Sequence, residues 1–517
     1  MMRGGIAFFY RFAVMLAVLV SAAVVSAAPK YKVELVQVVH RHGARSPIVD
    51  SNQSLICGTE YPCGFLNFEG QLMLERLGEF LRHRYTGDST VVSEPYFPSL
   101  SYNLSISYTR STDVLRTLQS ANALLQGLFP NVSAFFPAIH TVSSADDVLL
   151  LSSAVPMIRA RYNYAARELQ EVCNPVLDHR MPFAQLQAVA AEVHSQGFCA
   201  NHTLRVRCAE RLCDIAHAYQ STGALSQYPL LREHLDDVCA VTAMSSHFYF
   251  AYNASNPAHR KQGAPYYHLT SLLVRNMRMH QQRKNAPLYK LYQYSAHDTT
   301  ISPLAVSLGD SSMEAMLPPF GAAFIIELLS LADAPAPSSS STFYVRVLRG
   351  HPGATPATNF TFALRHFDMR CQDAKGTTYI AVDSICPFAD FERFINSMAP
   401  ASPMGTCYID PGLLGRMDCP VDAVGDNRTL SEDCLFYRKH CGKYACGDGY
   451  YLDGNGYGCH RIPASDSESA SSSMSRGGIA FLGIVLFIAG AVASIGGMEV
   501  WKRYKRTQSE GSEALIV

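Results

Sequence analysis

The sequence carries little charge and no excess of either sign. Lys and Arg total 43, Asp and Glu total 43, and the formal charge is zero with neutral His. A protein that binds nucleic acid or another polyanion shows a basic excess, so the balance argues against that class. Charged residues are only 17% of the chain against 48% hydrophobic, the reverse of a disordered composition. Tryptophan is nearly absent, the single one being Trp501. Cys-x-x-Cys pairs are missing, which argues against a zinc cluster. Cysteine itself is plentiful, 15 in 517 residues. That is many for a reduced cytosol and fits an oxidising compartment. The odd number leaves at least one thiol free or paired between chains. The length allows a large core and two or three domains.

The ends read as targeting segments. Arg3 and Arg11 precede an apolar run from Phe12 to Val25, and Ser26, Ala27 and Ala28 follow. This is the pattern of a secretory signal peptide over 1–27. A second apolar run, Gly477 to Met498, has no charge; as a helix it would span about 33 Å, enough for a bilayer core. Trp501 follows at the boundary, then Lys502, Arg503, Lys505 and Arg506. Basic flanks stay cytoplasmic. The expected topology is type I: a lumenal or extracellular body at 28–462, a Ser-rich stalk at 463–476, a span at 477–498 and a cytoplasmic tail at 499–517. The endosome, the lysosome and the cell surface all fit it. Seven Asn-x-Ser/Thr sites stand in the body, at Asn52, Asn103, Asn131, Asn201, Asn253, Asn359 and Asn427. Beside a signal peptide they indicate a glycosylated surface.

Three predicted strands deliver charge to one place. Val33 to Val39 is mostly apolar and β-branched, as in a buried strand. It ends in His40, Arg41, His42, Gly43, Ala44, Arg45, Ser46 and Pro47. Leu104, Ile106 and Tyr108 alternate with serines, and this strand ends in Arg110. A helix follows, with Val114, Leu118, Ala121, Leu125 and Leu128 along one face. Leu288 to Tyr294 forms a third strand ending in Ala296, His297 and Asp298, and Thr299 to Leu308 is a short helix. In an open α/β sheet such junctions line up on the carboxyl edge, where ligands bind. Three arginines and two histidines there make a cationic pocket, and its natural ligand is a phosphate. Gly43 is expected to serve the turn and let the backbone approach that phosphate. Arg116 is expected to be an exposed partner in an ion pair, and His40 a satisfied strand-end residue.

From about 132 to 283 the chain turns Ala-, Gln- and His-rich with helical periods. It reads as a smaller, mainly helical cap that walls the cleft. Strands return at Ala322–Leu329 and Phe343–Leu348. Cys407 to Cys459 holds six cysteines and reads as a loop-rich, disulfide-stapled segment. The expected fold class is α/β: a central mixed, mostly parallel sheet flanked by helices, with the cap and one C-terminal transmembrane helix.

Arg41-His42-Gly43-Ala44-Arg45-Ser46-Pro47 resembles the RHGxRxP signature of the histidine acid phosphatases. His297-Asp298 resembles that family's HD pair, and Arg110-Ser111-Thr112-Asp113 its RSTD segment. The order along the chain agrees, and the resemblance covers roughly residues 31 to 400. The transmembrane, short-tailed form is similar to membrane-bound acid phosphatases, lysosomal or protozoan in style. The resemblance implies that phosphomonoesters are the substrates and His42 the nucleophile, forming a phosphohistidine. Arg41, Arg45 and Arg110 would clamp the phosphoryl oxygens and keep His42 neutral by repulsion. His297 would be a further donor, and Asp298 would protonate the leaving alcohol. An Asp acid has to be protonated, so activity is expected to peak below neutrality. No cofactor or metal is implied, and the sequence offers no carboxylate cluster to hold one. A homodimer is implied only by the resemblance. The alternatives are a phytase of the same superfamily, which would want extra Lys and Arg around the cleft, and a catalytically idle surface glycoprotein.

Overall fold

The computed structural model describes residues 31–86, 95–97, 99–131, 136–282, 289–331, 343–419, 430–446, 450–452 and 459–462. The leader, the stalk, the span at 477–498, the tail and the site at Asn427 lie outside them. Among the described residues no helix is long and apolar enough to cross a membrane. The chain divides into two units, 1–460 and 461–517, and the fold that positions the site belongs to the first.

One mixed sheet organises that unit. Its strands are β1 (Tyr31–Arg41), β2 (Ser107–Ser111), β3 (Ile139–His140), β4 (Leu291–Ala296), β5 (Ala323–Leu331), β6 (Tyr344–Pro352), β7 (Phe362–Arg365) and β8 (Ile385–Pro387). The order is β8-β6-β5-β1-β4-β2-β3, with β7 also on β6. β1, β4, β2 and β3 pair in parallel. From β1 outward through β5, β6, β7 and β8 every pairing is antiparallel. The parallel strands end level: Arg41 stands opposite Ala296, and Ser111 opposite Ser295. That shared edge is the one the sequence predicts, and three charged junctions meet there.

β1 is apolar on both faces because both faces are covered. Val36 and Val38 pack against Met73, Leu77 and Leu81 of helix α1 (Phe68–Tyr85) and Leu124 and Leu128 of α2 (Leu115–Leu128). Of the helical face predicted for α2, Ala121, Leu125 and Leu128 are buried and Val114 and Leu118 half-buried. Leu35 and Val39 face the other way, into helices that follow β3. These are α3 (Pro156–Tyr164), α4 (Ala166–Arg180), α5 (Phe183–Glu192), α6 (Arg205–Thr222), α7 (Leu235–Phe250) and α8 (Tyr267–Gln281). They occupy the predicted cap region, but they are not a separate body. Leu177, Leu186, Leu212 and Val241 belong to the same buried cluster as Leu35 and Val39, so cap and sheet share one core. Helix α9 (Asp298–Ser307) follows β4 directly.

Seven disulfides use 14 of the cysteines: Cys57–Cys63, Cys199–Cys208, Cys213–Cys239, Cys371–Cys386, Cys407–Cys441, Cys419–Cys434 and Cys446–Cys459. Cys173, buried in α4, is the free thiol that the odd number demands. The six glycosylation sites within the described residues all expose their Asn.

Candidate active site

His42 is the first residue past β1, and its backbone is fixed on both sides. Its N–H donates to the Ala296 carbonyl at 2.9 Å, and its carbonyl accepts from Gly321 N–H at 3.0 Å. The ring is buried. Nδ1 lies 2.8 Å from the carbonyl oxygen of Gly43. A carbonyl can only accept, so Nδ1 carries the proton and Nε2 keeps its lone pair. Burial first, then the charges of Arg41, Arg116 and Arg45, hold the imidazole well below its ordinary pKa. The ring is therefore neutral in mild acid.

Arg41 leaves β1 one residue earlier and is buried. Its Nη1 donates to Pro318 O at 2.7 Å, and Nη2 lies 2.6 Å from Asp298 Oδ2. The guanidinium lies 4.3 Å from the Phe320 ring centroid, and that same ring stands 5.8 Å from the His42 ring. Arg45 follows in the loop. Its Nη2 and Nη1 contact the two carboxylate oxygens of Asp214 at 2.7 and 3.2 Å. Asp214 comes from α6, 169 residues away.

His297 and Asp298 sit at the β4–α9 junction. The His297 ring is edge-on to that of His42 at 5.5 Å. Its Nε2 is 2.9 Å from Thr112 Oγ1. Arg116 Nη2 makes a long contact of 3.4 Å to Nδ1. An arginine only donates, so Nδ1 is the unprotonated nitrogen and Nε2–H points at the threonine. Burial and Arg116 depress the His297 pKa. Burial alone would raise that of Asp298, but Arg41, Arg45 and His297 outweigh it and hold the carboxyl below its usual range. Asp298 is thus ionised before substrate binds, although 38% of its side chain is open to solvent.

Five of the six expected residues come together: Arg41, His42, Arg45, His297 and Asp298. Arg110 does not join them. Its Nη2 pairs with the buried carboxylate of Asp147 at 2.5 Å, and it is absent from the leading charges felt by His42, His297 and Asp298. β2 alternates, so Arg110 projects on the side of Tyr108, whose ring meets Tyr292 and His140. Arg116, expected at the surface, supplies the third guanidinium from the first turn of α2. It has no carboxylate partner among the described residues, and burial and Arg45 lower its pKa to about 10. A sequence signal existed. Arg116, Ser120, Ala123 and Gly127 recur on one face of α2, and a lone Arg on a face of small residues points at a close neighbour. Ser120 Oγ indeed accepts from Gly43 N–H at 3.1 Å. Asp214 had no such signal, since an acid in a helix shows no distant partner.

Gly43 is needed for a reason other than the expected one. Its φ is not positive, and a Cβ there would meet the Gly70 carbonyl oxygen at 2.0 Å. The close approach is to α1. His40 is a satisfied residue, as expected: Nδ1 bonds Arg41 O at 3.0 Å, and Nε2 accepts from Gln293 at 3.0 Å.

The pocket's donors are guanidinium and imidazole groups, which suit an anion rather than a metal ion. Cys213, His217 and Cys239 bring ligand-type atoms together nearby. Those two cysteines form a disulfide, so no thiolate is offered to a metal. A separate cleft of about 1070 Å³ is lined by Arg349, Arg365 and Arg370 but contains none of the pocket residues. Its Arg349 is already neutralised by Asp310 and Glu314.

The sequence profile of the histidine phosphatase superfamily (branch 2) matches residues 51–349, just after the Arg41–Pro47 motif. Lysosomal acid phosphatase of Bos taurus is 30% identical over 289 residues, covering 53% of this chain and 62% of that protein. Its Homo sapiens counterpart is 29% identical over 304 residues, covering 57% and 66%. Prostatic acid phosphatase of Rattus norvegicus is 28% identical over 316 residues, covering 57% and 75%. The chain thus spans a little under two thirds of the length of these two lysosomal relatives. Among solved structures, the phytase of Klebsiella sp ASR1 aligns with a TM-score of 0.46 at 17% identity, covering 74% of this chain and all of that one. The D. castellii phytase aligns with a TM-score of 0.46 at 13% identity, covering 74% and 82%.

Proposed function

The chain belongs to the histidine phosphatase superfamily, branch 2, and on that premise we propose that it is an acid phosphatase that hydrolyses phosphomonoesters through a phosphohistidine. The observation that carries the reading is His42. Burial and the charges of Arg41, Arg116 and Arg45 hold its imidazole well below the ordinary pKa, and Nδ1 is tied to Gly43 O, which leaves Nε2 as the nitrogen with the lone pair. A phosphoryl group bound there has its equatorial oxygens on guanidinium forks, which neutralise the charge that must spread over them in transfer. Nε2 forms the N–P bond as the P–O bond to the alcohol breaks in line. Asp298 gives its proton to that leaving oxygen. Water then attacks phosphorus, the N–P bond breaks, and the water's proton goes to the Asp298 carboxylate. His297 is the further donor in this scheme, through the Nε2–H that meets Thr112 in the free pocket.

Asp298 must acquire its proton before the first step, yet Arg41 keeps it ionised in the free enzyme. A dianionic ester resolves the conflict. It competes for Arg41 and adds negative charge beside Asp298, and both raise the carboxyl's proton affinity. The acid requirement therefore belongs to the enzyme–substrate complex. No metal takes part in this scheme.

The body is assigned to an oxidising, lumenal or extracellular compartment. Seven disulfides and six exposed glycosylation sites support that assignment. The names of the lysosomal relatives favour an acidic one, with the span at 477–498 as a type I anchor. The test is hydrolysis of an aryl phosphate by the full-length, glycosylated protein across pH 4 to 8, with and without chelator, beside His42→Ala. The expected result is a chelator-resistant acid optimum that the substitution abolishes, with a phosphohistidine trapped by rapid acid-free quenching of the wild type. Turnover that survives His42→Ala would sink the reading.

A further inference from the structure

Arg45 draws little support from its own stretch of chain. Its Nε has no hydrogen-bond partner among the described residues, and its only other acceptor is the carbonyl of the adjoining Ser46. What fixes the guanidinium is the carboxylate of Asp214, which takes both of its terminal nitrogens. Asp214 also accepts from Ile48 N–H at 2.9 Å. One helix side chain therefore ties the loop after the nucleophile at two points. The neighbouring Cys213 is itself bound to α7 by the Cys213–Cys239 disulfide, so the helix that carries Asp214 is anchored behind it.

The charges near the phosphoryl position can be counted. Arg41, Arg45 and Arg116 contribute three positive charges. Asp298 and Asp214 contribute two negative ones. His42 and His297 are neutral, as is His217, one turn beyond Asp214 on α6. Tyr162 on α3 faces Asp298 and stays protonated. The free pocket is thus one positive charge over balance. A dianionic ester carries it to one negative, and a proton on Asp298 restores neutrality. Without Asp214 the pocket would balance the dianion with Asp298 still ionised, and nothing would call the proton in.

We propose that Asp214 is a positioning residue that aims Arg45 at the phosphoryl group and sets the pocket's charge so that substrate binding protonates Asp298. The proposal rests on the phosphatase reading above. It makes the helical cap part of the catalytic apparatus, acting through Arg45 rather than by touching substrate.

The test follows kcat and KM against pH for the full chain, comparing wild type, Asp214→Asn, Asp214→Glu and Arg45→Ala, with thermal unfolding as a check on folding. The alkaline limb of kcat reports the acid in the complex. Asp214→Asn removes a negative charge and moves that limb down by about one pH unit. Asp214→Glu keeps the charge and leaves the limb in place, with kcat reduced by misplacement of Arg45. Arg45→Ala removes a positive charge and moves the limb up, and it tests the same charge balance if Asp214→Asn fails to fold. A limb that Asp214→Asn leaves in place overturns the proposal. So does one that Asp214→Glu shifts as far as Asp214→Asn, or one that Arg45→Ala fails to raise. An inactive wild type, or an active His42→Ala, would instead defeat the phosphatase reading.

Discussion

Gly43 and Gly70 meet backbone to backbone beside His42, the proposed nucleophile. A Cβ on Gly43 would fall 2.0 Å from the Gly70 carbonyl oxygen, and a Cβ on Gly70 would fall 1.9 Å from the carbonyl oxygen of Ala44. Helix α1 is seated there by Asn67, whose side chain caps it at Gly70 N–H and whose own N–H bonds Ala44 O. The loop that holds His42 and Arg45 is therefore clamped by a helix that supplies none of the named pocket residues.

Gly70→Ala should test that clamp. The methyl has backbone on its far side, so α1 or the loop has to move. The expected cost is about 3 kcal/mol of stability, with a fall in kcat of about tenfold or more as His42 shifts. Thermal unfolding and steady-state rates measured together decide it. A variant with wild-type melting and activity would show that the contact relaxes freely.

Arg116 and Arg110 should separate cleanly. Arg116→Ala removes a guanidinium from the pocket and should lower kcat/KM by about 100-fold or more, with little change in unfolding. Arg110→Ala leaves the buried Asp147 without its cation. It should cost about 3 kcal/mol in stability, while the properly folded fraction keeps its turnover. The reverse pattern would restore Arg110 to the phosphate site.

Binding of a dianion should draw in a proton. Sulfate stays doubly charged in mild acid, so it imitates the ester without titrating. Calorimetry of sulfate binding in buffers of different ionisation enthalpy should report uptake of about one proton per ligand, and Asp298→Asn should abolish it. The sign follows from the depressed pKa of Asp298 in the free enzyme. No uptake by the wild type would place the working acid elsewhere.

His40 should make the fold sensitive to acid. Burial lowers its pKa to about 4, against about 6.5 when unfolded. The unfolded chain therefore binds the proton first. The stability held by neutral His40 is complete above about pH 6.5 and declines as pH falls toward 4. His40→Gln keeps polar contacts without titrating, and it should flatten the slope of unfolding free energy between about pH 6 and 5 by about 1 kcal/mol per pH unit. Denaturant melts at each pH would measure this. An unchanged slope would mean that other groups set it.

The chemistry of the site was legible in sequence wherever it is local. His42 lies one residue past an apolar strand, and Asp298 opens a helix just after another. A strand end and a helix start fix a side chain's place from its immediate neighbours alone. The level carboxyl edge followed from the same local reading, because neighbouring parallel strands end on the same side of the sheet. The presence of an odd thiol followed from counting, though Cys173 as its identity did not.

What the sequence could not decide depends on direction and distance. Arg110 and Arg116 are close in the chain, and both stand near the β2–α2 turn. The pleat of β2 carries the first toward Asp147, and the pitch of α2 carries the second toward His297. Gly43 looked like a turn residue until α1 was seen against it. Asp214 is 169 residues from the arginine it holds, and only the packing of the helical layer onto the sheet's own core brings them together. The sequence by itself determined that His42, His297 and Asp298 end on one edge, since strand ends are set locally. Tertiary structure alone decided which arginine completes the pocket and what anchors it, since a side chain's aim and a long-range ion pair exist only once the layers have packed.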